Sequence, residues 1–388
     1  ELPMSLLSAF TDMLLATKPR AIGNMSDIVN QATKYRTYLY PLMLKGLARE
    51  EVVQSGTKII DFIQLAVQSS YRDYNPTDTF SYTGENSLTQ IEIPWRFSLV
   101  DSVTYKHEIE LNGSDPTVTF KRVGKAKAKV MEQSFWEGAE DALWAAPNYE
   151  TMEAATIGTG VTGQPLSLRC FVTADGGAPT SSNGGKATGS SDWTTVMQVN
   201  PTTYPNWANQ YETFDSTSAT TRAADVGGVL DAFHSMWLDV QWDSPSTTQE
   251  FFDKTSLQKL VICCNKTSYK ELVRLATSKN NVLTPVNDLG YQNGRVSYNG
   301  LPIKYIGALD SIDTGGTDGT YSGGKLTIQY RWFNFNHIKP VYHSNNYRNR
   351  QKKDGGAGNP FAEVVIEDTW RNLWCANRRE QGIVRASG

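Results

Sequence analysis

From Ile91 to Leu111 apolar and polar residues alternate. Ile91, Ile93, Trp95, Phe97 and Leu99 share one parity, and after Val100-Asp101-Ser102 the residues Val103, Tyr105, Ile109 and Leu111 resume it. A period of two marks strands with one covered face. Each arm outruns the usual strand of about 5–6 residues, so the pattern predicts an extended β-ribbon over 72–111, turning at the polar 100–102. Pro94 cannot donate to a ladder, which puts its arm at an edge. An exposed amphipathic ribbon invites pairing. Ile91, Ile93, Trp95, Phe97, Leu99 and Tyr105 are therefore expected at an interface with a neighbouring copy, and the feature points to assembly rather than catalysis.

The period changes directly afterwards. Asp115 and Pro116 are suited to the N-cap and first position of a helix, and Val123, Ala126, Val130, Phe135, Ala139 and Leu143 carry a broadly helical spacing that stops at Pro147. A helix over 115–146 would be about 45 Å long, with Gly124 weakening its start by about 1 kcal/mol relative to Ala. Upstream, 5–16 reads as a short amphipathic helix with Ser5 as cap, 19–53 as an extended arm with helical pieces, 58–67 as an apolar β-like stretch and 72–90 as turn-rich. Downstream, 166–172 reads as a strand within a Gly/Ser/Thr-rich region, and 176–191 as a surface loop. Helices near 221–238 and 267–278, with strands near 258–264, 295–306 and 325–334, predict an α+β region over 195–345. A polar connector over 343–360 precedes an apolar return over 361–384.

Composition narrows the classes. Lys and Arg number 37 against 40 Asp and Glu, a net charge of -3, so no global basic excess marks a nucleic-acid binder. No run reaches the roughly 18 apolar residues of a membrane span. The opening Glu1-Leu2-Pro3-Met4 lacks the segments of a signal peptide and an initiator Met, so a processed or trimmed start is expected. Four cysteines do not make a disulfide framework. Cys263 and Cys264 sit in an apolar run that reads as a buried strand, where free thiols act as small hydrophobes. This usage fits a protein made in the cytosol.

Residues that could carry chemistry are sparse. Gly158-Thr159-Gly160-Val161-Thr162-Gly163 fits a dinucleotide pattern in letters. That pattern needs a preceding strand and a following helix, whereas Gln164-Pro165 and a strand-like run follow here; a flexible loop is the simpler reading. His107, His234, His337 and His343 have no metal-ligand spacing with Cys or acids. No nucleophile elbow is present. No catalytic, cofactor-binding or metal-binding residue is assigned, and no cofactor is expected.

The basic run Lys121, Arg122, Lys125, Lys127 and Lys129 occupies the first half of the long helix, and Glu132, Glu137, Glu140 and Asp141 the second. This order opposes the helix dipole, which favours acids first and bases last by about 0.3–1 kcal/mol each. Either the cations are ordinary surface charge, or Lys121, Arg122, Lys125 and Lys129 meet an acidic partner, a neighbouring subunit or nucleic acid.

The order of elements resembles the major capsid proteins of tailed bacteriophages with the Hong Kong 97-type fold, over most of the chain. The likeness is carried by the ribbon, the helix to Trp144, the segments Val199-Asn200-Pro201 and Trp207-Ala208-Asn209-Gln210, the run Val296 to Ile303 followed by Asp310, and Trp374 to Gly382. The resemblance implies an N-terminal arm over 1–71, an extended loop over 72–111 and a peripheral domain over 112–194 with spine helix 115–146. It further implies an axial domain over 195–345 and a C-terminal return to the peripheral domain over 346–388. It implies hexameric and pentameric capsomers in an icosahedral shell around double-stranded DNA held without sequence-specific binding. Scaffolding, portal and decoration proteins would be partners and no membrane would be involved; the chain would reside in the virion after assembly in the host cytoplasm, and would not be an enzyme. Another phage component (tail or portal) is the near alternative. A carbohydrate-active enzyme, suggested by ten tryptophans and Gly/Ser-rich loops, is the distant one.

Overall fold

A computed structural model describes residues 34–65, 88–105, 116–145, 163–172, 195–215, 220–240, 259–280, 289–313, 328–354 and 362–387, a few positions within these spans excepted. Helix α1 (Leu39–Leu42) runs into a π-turn (Met43–Leu47), followed by β1 (Glu51–Val53), β2 (Lys58–Gln64), β3 (Leu88–Pro94) and β4 (Arg96–Tyr105). The long helix α2 (Pro116–Trp144) and the single turn α3 (Leu168–Phe171) come next. Then follow β5 (Gln210–Asp215), α4 (Val229–Val240), β6 (Leu260–Cys264), α5 (Lys266–Asn280), β7 (Leu289–Gln292), β8 (Arg295–Tyr298), β9 (Leu301–Tyr305) and α6 (Ala308–Asp313). The chain closes with β10 (Gln329–Asn334), β11 (Ile338–His343), β12 (Asn349–Asp354), β13 (Ala362–Cys375) and β14 (Gly382–Ser387). The class is α+β, as the sequence predicts.

Strand β13 organises the first sheet. Its residues 362–371 pair antiparallel with β4, while β12 and β11 pair antiparallel with it and β1 lies parallel to β11. Arg371 is partnered by both Arg96 and Tyr342, so β4 holds one edge of β13 and β11 the other. A second sheet has the order β5-β14-β10-β6-β9-β8-β7. Its core forms around Phe233 of α4, whose ring meets Tyr298, Tyr330 and Trp332 edge-on at 5.3, 5.0 and 5.3 Å. Asn299 and Gly300, both at positive φ, supply the two-residue turn between β8 and β9. Gly382 lets β14 approach α4 closely: a Cβ there would lie 2.2 Å from the Met236 sulfur.

Two connections tie the sheets together. Residues 335–337 lead from β10 to β11, and 376–381 from β13 to β14. Glu380, nearly buried, accepts from Asn334 Nδ2 at 2.6 Å and Asn377 Nδ2 at 2.7 Å and lies 3.0 Å from His337 Nε2. Arg378 is fully buried and donates to Phe171 O, Trp207 O and Asn209 Oδ1 at 3.2, 3.0 and 3.2 Å. Burial pulls its guanidinium down to about 10, still charged at neutral pH.

Several expectations are corrected. The ribbon over 72–111 is not a hairpin of 91–99 on 103–111: β3 pairs with β2, with Lys58 opposite Pro94 and Gln64 opposite Leu88, and β4 runs unbroken through 100–102 into the first sheet. The alternation reports a covered face but not which strand covers the edge. The stretch 166–172 holds the helical turn α3, and the helix expected at 221–238 is α4, starting at Val229. Part of the arm expected over 19–53 is core, since Leu39, Tyr40 and Met43 are buried. The C-terminal return is divided: β13 lies in the first sheet, but β14 enters the second between β5 and β10. The helix expected at 5–16, the loop 176–191 and all but the last glycine of 158–163 lie outside the described residues.

The acids of α2 hold the N-terminal segment. Glu140 Oε2 accepts the N–H groups of Leu39 and Tyr40 at 2.8 and 2.9 Å, and Oε1 accepts Trp144 Nε1 at 2.8 Å. It thereby satisfies donors at the start of α1, which has no side-chain cap of its own. Asp141 pairs with Lys34 Nζ at 2.8 Å, and Glu137 accepts the Tyr38 hydroxyl at 3.2 Å. The Lys34 pair is solvent-exposed and contributes little; the buried Glu140 decides. Glu140→Ala would leave three donors unmatched at about 1–3 kcal/mol each, and a loss of about 3 kcal/mol or more is expected in denaturant unfolding. Burial also raises the Glu140 carboxyl above its ordinary 4.5, outweighing the hydrogen bonds that lower it. A carboxyl raised in the folded state contributes most below its unfolded value and loses that contribution as pH rises through the folded value. The stability advantage of the parent over Glu140→Gln should thus be larger at pH 4.5 than near neutrality; the opposite trend would contradict this account.

Candidate subunit interface

On β3 the residues Ile91 and Ile93 face inward and are buried, opposite Asp61 and Ile59 of β2. Trp95 is also buried, and its indole donates to Gly56 O at 2.9 Å. These three expected interface residues belong to the protein's own core. The same parity continues into β4, but there the cover ends: Phe97 is 43% and Leu99 60% exposed. An aromatic row marks the boundary. Trp95 meets His343 at 5.6 Å, His343 meets Trp370 at 5.2 Å, and Trp370 meets Phe97 at 5.0 Å. Beyond it, the outward face of the β4–β13 pair carries Phe97 beside Trp370, Leu99 beside Asp368, and Val103 beside Val364. Tyr105, at the end of β4, is half-buried.

The hairpin of β2 and β3 has a second exposed apolar face. Ile60, Phe62 and Leu88 lie on one side with Gln64, Gln90 and Glu92, and Ile59, Ile63, Ile91 and Ile93 lie on the other. Phe62 is 59% and Leu88 54% exposed. Sequence reading missed this face, though a signal was present: β2 carries apolar residues at both parities, which a strand with one wet face has no reason to do.

The charged helix divides differently. Its acidic half is engaged within the chain by Lys34, Tyr35, Tyr38, Leu39 and Tyr40. In the basic half, Lys127 Nζ donates to Val103 O at 3.0 Å, and Lys129 is half-buried. The side chains of Lys121, Arg122 and Lys125 lie outside the described residues. Cys170, Cys263, Cys264 and Cys375 are free and buried, and burial pushes the Cys263 and Cys375 thiols up to about 12, which removes thiolate reactivity. Among the described residues no group of three or more His, Cys, Asp or Glu is placed to hold a metal, and no helix is long and apolar enough to cross a membrane.

No protein-family model and no curated protein matches this sequence. Solved structures do. A chain in the capsid asymmetric unit of cyanophage A-1(L) is 12% identical, with 95% of this chain and 96% of that chain covered at a TM-score of 0.53. A chain in the mature capsid of bacteriophage PhiM1 is 10% identical, with 93% and 90% covered at a TM-score of 0.51. The chain has the Hong Kong 97-type capsid fold. Among the described residues, Ile60, Phe62, Leu88, Phe97 and Leu99 leave large apolar side chains exposed on the β2–β3 hairpin and on β4, and Leu42, Val52, Val130, Val226 and Leu238 do so elsewhere.

The two sets of apolar residues should therefore respond differently to substitution. Phe97→Ser with Leu99→Ser should leave the unfolding midpoint of the isolated subunit within about 1 kcal/mol of the parent and abolish higher-order species in size-exclusion chromatography. Trp95→Ser should instead cost about 3–5 kcal/mol and fail before assembly is reached. Unaltered oligomers from the double variant would remove β4 from the interface.

Proposed function

We propose that this protein is the major capsid protein of a tailed bacteriophage. It self-assembles into hexameric and pentameric capsomers of an icosahedral shell that encloses double-stranded DNA. The observation that carries this reading is the match of nearly the whole chain to capsid chains of PhiM1 and cyanophage A-1(L) in fold. The open apolar faces at Ile60, Phe62 and Leu88 and at Phe97 and Leu99 support it, since association would cover them. The tryptophans that suggested a carbohydrate-active enzyme favour packing instead: Trp95, Trp144, Trp207, Trp332 and Trp374 are all buried. In the assembled state the β2–β3 hairpin lies on a neighbouring copy, the first sheet with α2 forms the peripheral domain, and the second sheet forms the axial domain. The mature chain resides in the virion after assembly in the host cytoplasm, with scaffolding, portal and decoration proteins as further partners.

The basic half of α2 fits the same reading. Its charge order runs against the helix dipole, and a neighbouring subunit's carboxylates or packaged phosphate would offset that cost. Negative-stain microscopy of the expressed protein should show shells or capsomers; compact monomers under all assembly conditions would contradict the proposal. In particles, Lys121→Gln, Lys125→Gln and Lys129→Gln together should lower stability or genome retention, and the parent's advantage should shrink with added salt. Particles of the triple variant that match the parent in both would reduce the basic run to a solvated face.

A further inference from the structure

The two helices over the second sheet carry opposite charge at its two ends. α4 covers β5 and β14, and α5 covers β7, β8 and β9. Strands are spaced about 4.8 Å apart, so this order puts the helices roughly 20 Å from each other. That is about two Debye lengths in physiological salt, and neither helix neutralises the other within one copy. On α5, Lys266, Lys270 and Arg274 recur every four positions and are exposed, forming one stripe. Like charges at this spacing repel, and Lys266 at the first helical position also opposes the helix dipole. Neither lysine side chain has an acid or acceptor partner among the described residues. The pair of Arg274 with Glu271, at 3.4 Å and open on the arginine side, contributes little.

The outer face of α4 is acidic and apolar. Asp239 is exposed next to Leu238, itself 71% exposed, and Asp231 stands two turns before Leu238 on the same face. Val226, 84% exposed, precedes Gly227, whose N–H donates to Asp231 at 2.8 Å. Glu212 of β5 lies close by: burial first, then the charges of Asp239 and Asp231, raise its carboxyl above the ordinary range. Burial raises the Asp239 carboxyl as well, against the pull of Arg379. Acids interleaved with bare apolar side chains suit a protein partner better than a free ion. The aliphatic stems of lysine and arginine cover apolar groups while their heads meet carboxylates, and the stripe on α5 offers such stems in a row.

We propose, resting on the capsid reading above, that the α5 face of Lys266, Lys270 and Arg274 docks on the α4 face of Leu238 and Asp239 of a second copy. Two different surfaces of one chain then meet. Such a heterologous contact repeats around a ring when its rotation closes. Opposite charge at the two ends also sets the sense of the ring, because like ends placed together repel.

Sedimentation velocity of the full chain at low salt tests the contact. Lys266→Glu with Lys270→Glu makes a copy that is acidic at both ends, and Leu238→Lys with Asp239→Lys makes one that is basic at both ends. Each should keep the parent's unfolding midpoint yet need at least about tenfold more protein to form oligomers. Mixing the two should restore oligomers that contain both, and a chain carrying all four substitutions should assemble alone. Added salt should narrow the gap between the parent and either face variant. If a reversed variant does not fold, Lys266→Gln with Lys270→Gln, and separately Asp239→Asn, should still weaken association. Parent-like assembly of both face variants would overturn the inference, as would a defect that neither mixing nor the fourfold variant repairs. A basic-face variant that assembles normally but loses packaged DNA would give α5 to phosphate and overturn it too. These three outcomes leave the capsid reading standing, whereas a parent that forms no oligomers removes that reading and this contact together.

Discussion

The joint between the two sheets rests on one buried guanidinium. Arg378 lies between β13 and β14, and its donors reach the carbonyls of Phe171 and Trp207 and the side chain of Asn209. A charge without a carboxylate partner stays in a core only when its geometry is satisfied. Here the acceptors come from two separate segments, one ending α3 and one leading into β5, so each segment must be in place for the charge to be tolerated. The neighbouring Glu380, with Asn334, Asn377 and His337, fixes the second crossing beside the first. Two strand crossings locked at one point make the sheets a single mechanical unit rather than two tethered modules.

Helix α2 does for the first sheet what Arg378 does for the joint. Its acids capture side chains of Lys34, Tyr35 and Tyr38 and the backbone of Leu39 and Tyr40, and its aromatic residues Phe135 and Trp136 lie against Arg348 and Arg371. The charge order that looks unfavourable for an isolated helix is thus partly a tertiary arrangement. Carboxylates near the C-terminal half of α2 work against its dipole, yet they satisfy the start of α1. Tertiary contacts override local preference when a buried donor is at stake.

The sequence made local period legible and left pairing hidden. The long helix was expected over 115–146 and spans Pro116–Trp144; the strand expected near 258–264 is Leu260–Cys264; the helix expected at 267–278 is Lys266–Asn280. Each rests on spacing along one segment. Leu166 to Val172 is apolar almost throughout, a run that fits a strand or a buried helix equally, and it holds a helical turn. The fate of Ile91, Ile93 and Trp95 against that of Phe97 and Leu99 was illegible because parity does not tell where a cover stops. Of the five, only the latter pair stands open. Buried Glu140, Arg371 and Arg378 gave no signal at all, since an ionisable residue looks the same in sequence whether it is wet or dry.

The position of β14 has a consequence for the order of events during synthesis. It is inserted between β5 and β10, so residues near 210 and near 330 cannot be joined in their sheet until translation has passed residue 387. Nascent chains fold domain by domain where contacts are local, but here closure of the second sheet is deferred to the last strand. Until then the edges of β5 and β10 that β14 joins stay unpaired, and non-local pairing of this kind is slow. A ribosome-bound or truncated chain therefore lacks a completed second sheet.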